Sequence, residues 1–248
     1  VPAVKESLAL VARELAPVLG VGRRSARRHP VWTDPDPVDG RGLGVVVVPG
    51  FGGADASMAV LRGWLASRGY RPAGAGLGVN VGCSADLVDR LERRVAEHAA
   101  ATGGPVVLLG HSRGGWIGRL VAVRRPDLVR GLVMMGTPVL NPLDTRGAVT
   151  VACRALMALS DLGLRGLLER DCVDGTCRAA TEAGLTAPLE MPVVALYSRS
   201  DGLVGWRSCL APGAEHVEVT CSHTAMVHDP ALFTALAPRL AAWVPRPE

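Results

Sequence analysis

Residues 110–115 read GHSRGG, set between the apolar run PVVLL and the helix-like WIGRLVAV. A serine in a glycine-walled turn that joins a strand to a helix can act as a nucleophile. On such an elbow the backbone is strained and the hydroxyl, here that of Ser112, is lifted above the carboxyl ends of the strands. The residues two before and two after must be small, because the strand and helix backbones pass close together. Gly110 and Gly114 meet that need. The bare pattern G-x-S-x-G is weak and gains meaning only from this strand–turn–helix context. A hydroxyl alone is a poor nucleophile: it needs a base, and the base needs an orienting carboxylate.

Both partners stand downstream in the order serine, acid, histidine. YSRSDGLV places Asp201 just past the strand-like PVVALYS, and CSHTAM places His223 just past HVEVT. Loops at the carboxyl ends of strands are where α/β sheets carry ligands and catalytic groups. Ser112 as nucleophile, Asp201 as acid and His223 as base therefore make a coherent acyl-transfer set. The plainer alternatives are an ordinary Asp-Gly turn at Asp201 and a surface-loop histidine at 223. His228 precedes Asp229-Pro230 and reads as a helix start. His216 begins its strand and so lies at the wrong end. Asp171 and Asp174 are outside candidates for the acid. An oxyanion needs two donors. The backbone N–H of Arg113 supplies one, and the loop PGFGGADAS supplies the other, with Phe51 favoured and Gly52 its rival. The Phe51 ring suits an acyl pocket and an ordinary apolar contact equally well.

The elements that must hold these residues are legible as an alternation. GVVVV (44–48), PVVLLG, LVRGLVMMG (128–136) and PVVALYS (192–198) are short, apolar and rich in β-branched residues, as strands buried on both faces are. RPAGAGLG is a weaker strand, and the alternating HVEVT (216–220) suits the sheet edge. ADASMAVLRGWLASRG, SADLVDRLERRVAEHAAATGG, residues 113–125 and PALFTALAPRLAAWV have helical periodicity. Ser84 is a candidate N-cap, Gly103 a stop, and Pro238 a kink. Strands alternating with amphipathic helices predict an α/β fold, a doubly wound, mostly parallel sheet. Residues 139–190 break the rhythm with helix-like pieces and read as a short helical lid insertion. Residues 1–43 read as an N-terminal helix (3–19) and a basic, proline-rich linker, ahead of one domain from 44 to 248.

Composition narrows the classes. Of 248 residues, 48% are hydrophobic and 20% charged, enough for a sizeable core. The thirty glycines and eighteen prolines are dispersed, which excludes collagen-like and low-complexity readings. The net charge of +4 sits in residues 1–30, and the remainder balances. The run GRRSARRH fits weak contact with a membrane surface, the plainer reading being a solvated leader. Aromatic residues are few and not interleaved with basic ones, so nucleic-acid binding is not expected. Lys5, Glu6, Arg13 and Glu14 interrupt the first twenty residues, which suits an amphipathic helix better than a signal peptide. No apolar run reaches the roughly 18 residues of a membrane span. The chain opens on Val, and cytoplasmic or exported localisation stays open.

Six cysteines (Cys83, Cys153, Cys172, Cys177, Cys209 and Cys221) allow many pairings. Only Cys172 and Cys177, in DCVDGTC, are close in sequence, and an exported protein would pair them locally. In a reducing compartment all six would be thiols. No second short-spaced Cys or His pair completes four zinc ligands, so no metal is expected.

VPGFGG, GHSRGG, YSRSDGLV and CSHTAM together resemble the α/β-hydrolase superfamily, in the style of short lipase- and esterase-like members from actinobacteria. The resemblance covers residues 43–244. It implies the α/β-hydrolase fold for 44–248, the triad Ser112, Asp201 and His223, and no cofactor. It also implies that NVGCS and DCVDGTC belong to the family pattern, without a catalytic role for their cysteines. The short insertion is a departure that argues against interfacial activation on large triglycerides. The expected activity is hydrolysis of a small carboxylic ester. Thioester, amide or lactone hydrolysis and acyl transfer use the same triad, and a non-catalytic binding protein of this fold is the reading from another class. Acyl length and oligomeric state are not encoded legibly.

Overall fold

The structure, a computed structural model, describes residue 14 and residues 29–33, 39–142 and 148–245. The expected helix over 3–19, except for Glu14, and the basic run proposed to touch membranes lie outside the described residues.

Six strands form one sheet: β1 (Gly44–Val48), β2 (Arg71–Gly74), β3 (Val106–His111), β4 (Val129–Met135), β5 (Val193–Tyr197) and β6 (Glu215–Glu218). Their order is β2-β1-β3-β4-β5-β6, and every neighbouring pair is parallel. The order reverses between β1 and β3. Loops leaving the carboxyl ends of those two strands therefore diverge and open the crevice where such sheets bind ligands.

The described helices are α1 (Pro30–Thr33), α2 (Ala59–Ser67), α3 (Ser84–Thr102), α4 (Arg113–Arg124), α5 (Ala148–Asp161), α6 (Asp171–Asp174), α7 (Thr176–Thr186) and α8 (Pro230–Trp243). Period-two alternation along the strands splits the core into two layers. Val46, Val48, Leu108 and Leu132 pack with Leu91 and Val95 of α3 and Ile117 of α4. Val45, Val47, Leu109 and Val133 pack with Leu61 and Leu65 of α2 and Phe233 and Leu236 of α8. With both faces covered, the central strands must be apolar at every position, which is why they read as continuous runs.

Sequence and structure differ at element ends. Cys83, not Ser84, occupies the N-cap position of α3, and Ser84 enters the first turn. Its hydroxyl is taken by the Arg113 guanidinium at 3.1 Å rather than by a helix N–H. Gly103 closes α3 in the left-handed region at φ 80°. The edge strand is Glu215–Glu218, shorter than HVEVT. On the opposite edge β2 stops at Gly74, where Asp55 accepts the N–H groups of Ala75 and Gly76. Asp229 caps α8 by accepting from Ala231 N–H, so the HDP turn is a helix start. The stretch between β4 and β5 holds α5, α6 and α7 and no strand among the described residues. α1 packs on the body: Trp32 meets Phe233 at 4.6 Å between ring centroids, and the Val31 carbonyl accepts from Trp64 Nε1. Among the described residues no helix is long and apolar enough to cross a membrane.

Candidate active site

Ser112 joins β3 to α4 at φ 52° and ψ −125°, a backbone state rarely adopted by residues with a side chain. Its surroundings over-determine that state. Its N–H donates to Met135 O at 2.7 Å, and its carbonyl accepts from Gly115 N–H and Thr137 Oγ1, each at 3.0 Å. The flanking glycines are small for the reason the sequence suggested. A Cβ on Gly110 would lie 2.4 Å from backbone atoms of Gly114 and Gly115, and one on Gly114 would lie 2.5 Å from the carbonyl oxygens of Val48 and Pro49. Backbone cannot yield as a side-chain tip can. Gly110→Ala is expected to lower stability by about 1–3 kcal/mol, the usual cost of overpacking, and to displace the serine. Denaturant melts with a serine-reactivity assay would read both.

Asp201 and His223, 22 residues apart, meet in a hydrogen bond of 2.6 Å between Oδ2 and Nδ1. Both side chains are almost wholly buried. The second carboxylate oxygen of Asp201 accepts the N–H groups of Leu203 and Val204 at 2.9 and 2.8 Å. The Asp-Gly turn foreseen as the plain alternative is thus present and is the device that holds the carboxylate. An ionised carboxylate only accepts, so Nδ1 carries the imidazole proton and Nε2 keeps its lone pair. Ser198 Oγ donates to Cys221 O, tying the end of β5 to the loop that bears His223. Gly136, just past β4 at φ 58°, lets this pair approach: a Cβ there would stand 3.2 Å from His223 Nδ1 and 3.4 Å from Asp201 Oδ2.

The serine turn and the histidine loop touch through a residue not singled out from sequence. His111 Nε2 donates to the His223 carbonyl at 3.0 Å, and the two rings lie 4.7 Å apart. Burial first, and the neighbouring His223 second, press the pKa of His111 down to about 3, so it stays neutral across the physiological range. His216 instead bonds Ala211 O, at its own end of β6.

The loop after β1 lies beside the elbow: a Cβ on Gly50 would stand 3.2 Å from that of Ser112. The Gly52 N–H is already given to Asn80 O at 2.9 Å, which removes the rival donor. The Phe51 N–H has no partner among the described residues, and the Arg113 N–H begins α4, where intrahelical acceptors are lacking. Asn80, from NVGCS, is fully buried. Its Nδ2 donates to Pro49 O, its N–H to Gly53 O, and its Oδ1 accepts from Arg113. One side chain thereby links both strand-end loops. The motif was visible in the sequence, yet nothing in its residue types showed that it served the neighbouring loop.

The residue furthest from sequence-based expectation is Glu14. Its Oε1 accepts from Gly202 N–H at 2.9 Å and His223 N–H at 3.0 Å, and its Oε2 accepts from Thr224 N–H at 2.9 Å. Burial alone would raise this carboxyl's pKa, but the bonds from Thr224, Gly202 and His223 outweigh it and hold it below the ordinary value. A carboxylate from the N-terminal segment therefore bridges the two loops that carry Asp201 and His223. Asp171 and Asp174 take no part: Asp171 caps the turn into α7 by accepting from Thr176 and Cys177 N–H.

Comparison with known proteins agrees with this architecture. The family model described as the alpha/beta hydrolase fold matches residues 45–151. No curated protein matches the sequence. Among solved structures, the mature lipase BlEst2 of Bacillus licheniformis superposes with a TM-score of 0.62 at 18% identity, over 83% of this chain and 96% of that one. The monoacylglycerol lipase of Paleococcus ferrophilus gives 0.56 at 15% identity, over 84% and 96%. The thioesterase domain of the curacin biosynthetic pathway gives 0.55 at 14% identity, over 83% and 93%. This chain has the α/β-hydrolase fold. At such identities the likeness carries the fold, and the chemistry must be argued from the residues.

Proposed function

We propose that the chain is a serine hydrolase of carboxylic esters. Ser112 attacks the ester carbonyl while His223 Nε2 takes its proton. The oxyanion is received by the backbone N–H groups of Phe51 and Arg113. His223 then protonates the departing alcohol, and water discharges the acyl-enzyme by the reverse route. Asp201 fixes the imidazole tautomer and stabilises the imidazolium. The observation that carries this reading is the 2.6 Å bond between buried Asp201 and His223, on loops beyond β5 and β6, at the same sheet edge as the strained serine turn. An apolar acyl group is favoured, because Leu140, Val151, Leu159, Leu162 and Leu164 of the insertion stand exposed.

A fluorophosphonate probe followed by peptide mapping tests the nucleophile, with the label expected on Ser112. A p-nitrophenyl ester series of increasing acyl length, run beside an acyl thioester, tests the substrate class. A burst of p-nitrophenol on short or medium chains is the expected result. Labelling without ester turnover, but with thioester turnover, would replace ester by thioester. No labelling of folded protein would leave a binding protein of this fold.

A further inference from the structure

Three thiols distant in the chain converge beside the elbow. Cys83, at the N-cap of α3, faces Cys172 in α6 and Cys177 in α7. The Sγ separations are 3.4 Å for Cys83–Cys172, 3.4 Å for Cys172–Cys177 and 4.0 Å for Cys83–Cys177. All three are free. Three thiolates on one tetrahedral zinc, each bonded at about 2.3 Å, would stand about 3.8 Å apart. The sequence suggested a local Cys172–Cys177 pair and no metal, because Cys83, 89 residues before Cys172, could not be assigned to the cluster from spacing.

Hydrogen-bond donors lie against the sulfurs. Ser84 N–H donates to Cys172 Sγ at 3.4 Å. The N–H groups of Ala85 and Asp86 follow it in the same turn. These are the orphan donors in the first turn of a nineteen-residue helix, where negative charge is favoured. Beside them lies the buried Arg113 guanidinium. Its donors go to Asn80 Oδ1, Gly82 O and Ser84 Oγ, all neutral, and no carboxylate pairs with it among the described residues. The ionisable groups acting on it are Cys172, Cys153, Cys83 and Cys177. A buried cation without a counter-anion is costly. Neutral thiols do not supply one, whereas zinc held by three thiolates has a net charge of −1.

We propose that Cys83, Cys172 and Cys177 form a binding site for a soft d10 cation, Zn2+ in the first place. On binding, three S–H bonds break, three Zn–S bonds form and three protons pass to solvent; no electron is transferred. A surface cavity of about 300 Å³, lined by Gly82, Cys83, Asp86 and Leu87, reaches one of the three thiols, and a water would complete the tetrahedron as fourth ligand. Asp171 prearranges the ligand turn, since its carboxylate accepts the Cys177 N–H at 3.0 Å. The bound ion would stitch α6 and α7 of the insertion to the start of α3, next to the side chain of the residue that follows Ser112.

Cobalt titration of the reduced, folded full chain tests the site, because three thiolates give Co2+ an intense near-ultraviolet charge-transfer band. One Co2+ per chain is expected, displaced by one Zn2+, with three of the six thiols protected from a disulfide reagent. Cys83→Ser and Cys172→Ser are expected to weaken binding about 100-fold or more. Because these buried positions bear on folding, Cys177→Ser, at a half-buried thiol, is measured beside them with circular dichroism. Reduced and folded wild-type protein that takes up no cobalt overturns the proposal. So does recovery of these three cysteines as disulfide-linked peptides from protein purified without added oxidant.

Discussion

Ser112→Ala is expected to lower kcat/KM on a p-nitrophenyl ester by about 10⁴-fold or more while leaving the fold intact. Alanine keeps the Cβ that the positive-φ turn already accommodates, so the elbow's strain is unchanged and only the hydroxyl is lost. His223→Ala should cost a comparable factor, and the double variant little more, because residues that act as one unit are not additive. Asp201→Asn is the most informative of the set. The amide retains an oxygen for the N–H groups of Leu203 and Val204, so the turn survives. Toward Nδ1 it presents a donor in place of an acceptor, which favours the tautomer with its proton on Nε2. A fall of about 10⁴ in kcat with folding preserved is the expected outcome. Near-normal turnover would remove Asp201 from the mechanism.

The fold was legible because both sheet faces are covered. That burial forces unbroken β-branched runs such as GVVVV, and helices with one apolar stripe between them. The edges were less legible, since β2 and β6 are short and half-solvated and their ends are set by Asp55 and by neighbouring loops rather than by their own residue types. The serine turn carried its own signature, because only glycine fits between the backbones of β3, α4 and the Val48–Pro49 carbonyls. Asp201 and His223 could be placed at strand ends by order alone. What holds them could not. The side chains of His111, Asn80 and Glu14 act through carbonyls and N–H groups of residues 31 to 210 positions away. Such long-range backbone contacts leave no periodicity or spacing in a single sequence. The cysteines make the same point. DCVDGTC was visible as a pair, but a third sulfur from the start of α3 changes it from a local link into a cluster.

Glu14→Ala is expected to be the most destabilising single change outside the core. It orphans the N–H groups of Gly202, His223 and Thr224, while the Thr224 hydroxyl keeps the Glu14 backbone carbonyl as its acceptor. Each buried donor left unsatisfied costs about 1–3 kcal/mol, so a loss of about 3 kcal/mol or more is expected by denaturant melt. Glu14→Gln keeps one oxygen and removes the charge, and its loss should be smaller. The pH dependence has a definite sign. The carboxyl's pKa is lower in the folded than in the unfolded chain, where it is near 4.5. Its stabilisation is therefore fully present above that value and fades as pH falls through the folded pKa. The gap between wild type and Glu14→Gln should accordingly narrow in acid and stay constant above about pH 6. Activity separates holding the loops from merely stabilising them. If the carboxylate keeps Asp201 and His223 in register, Glu14→Gln lowers kcat by about 10-fold or more with KM retained, at temperatures where the protein is fully folded. Equal kcat under those conditions would confine Glu14 to stability.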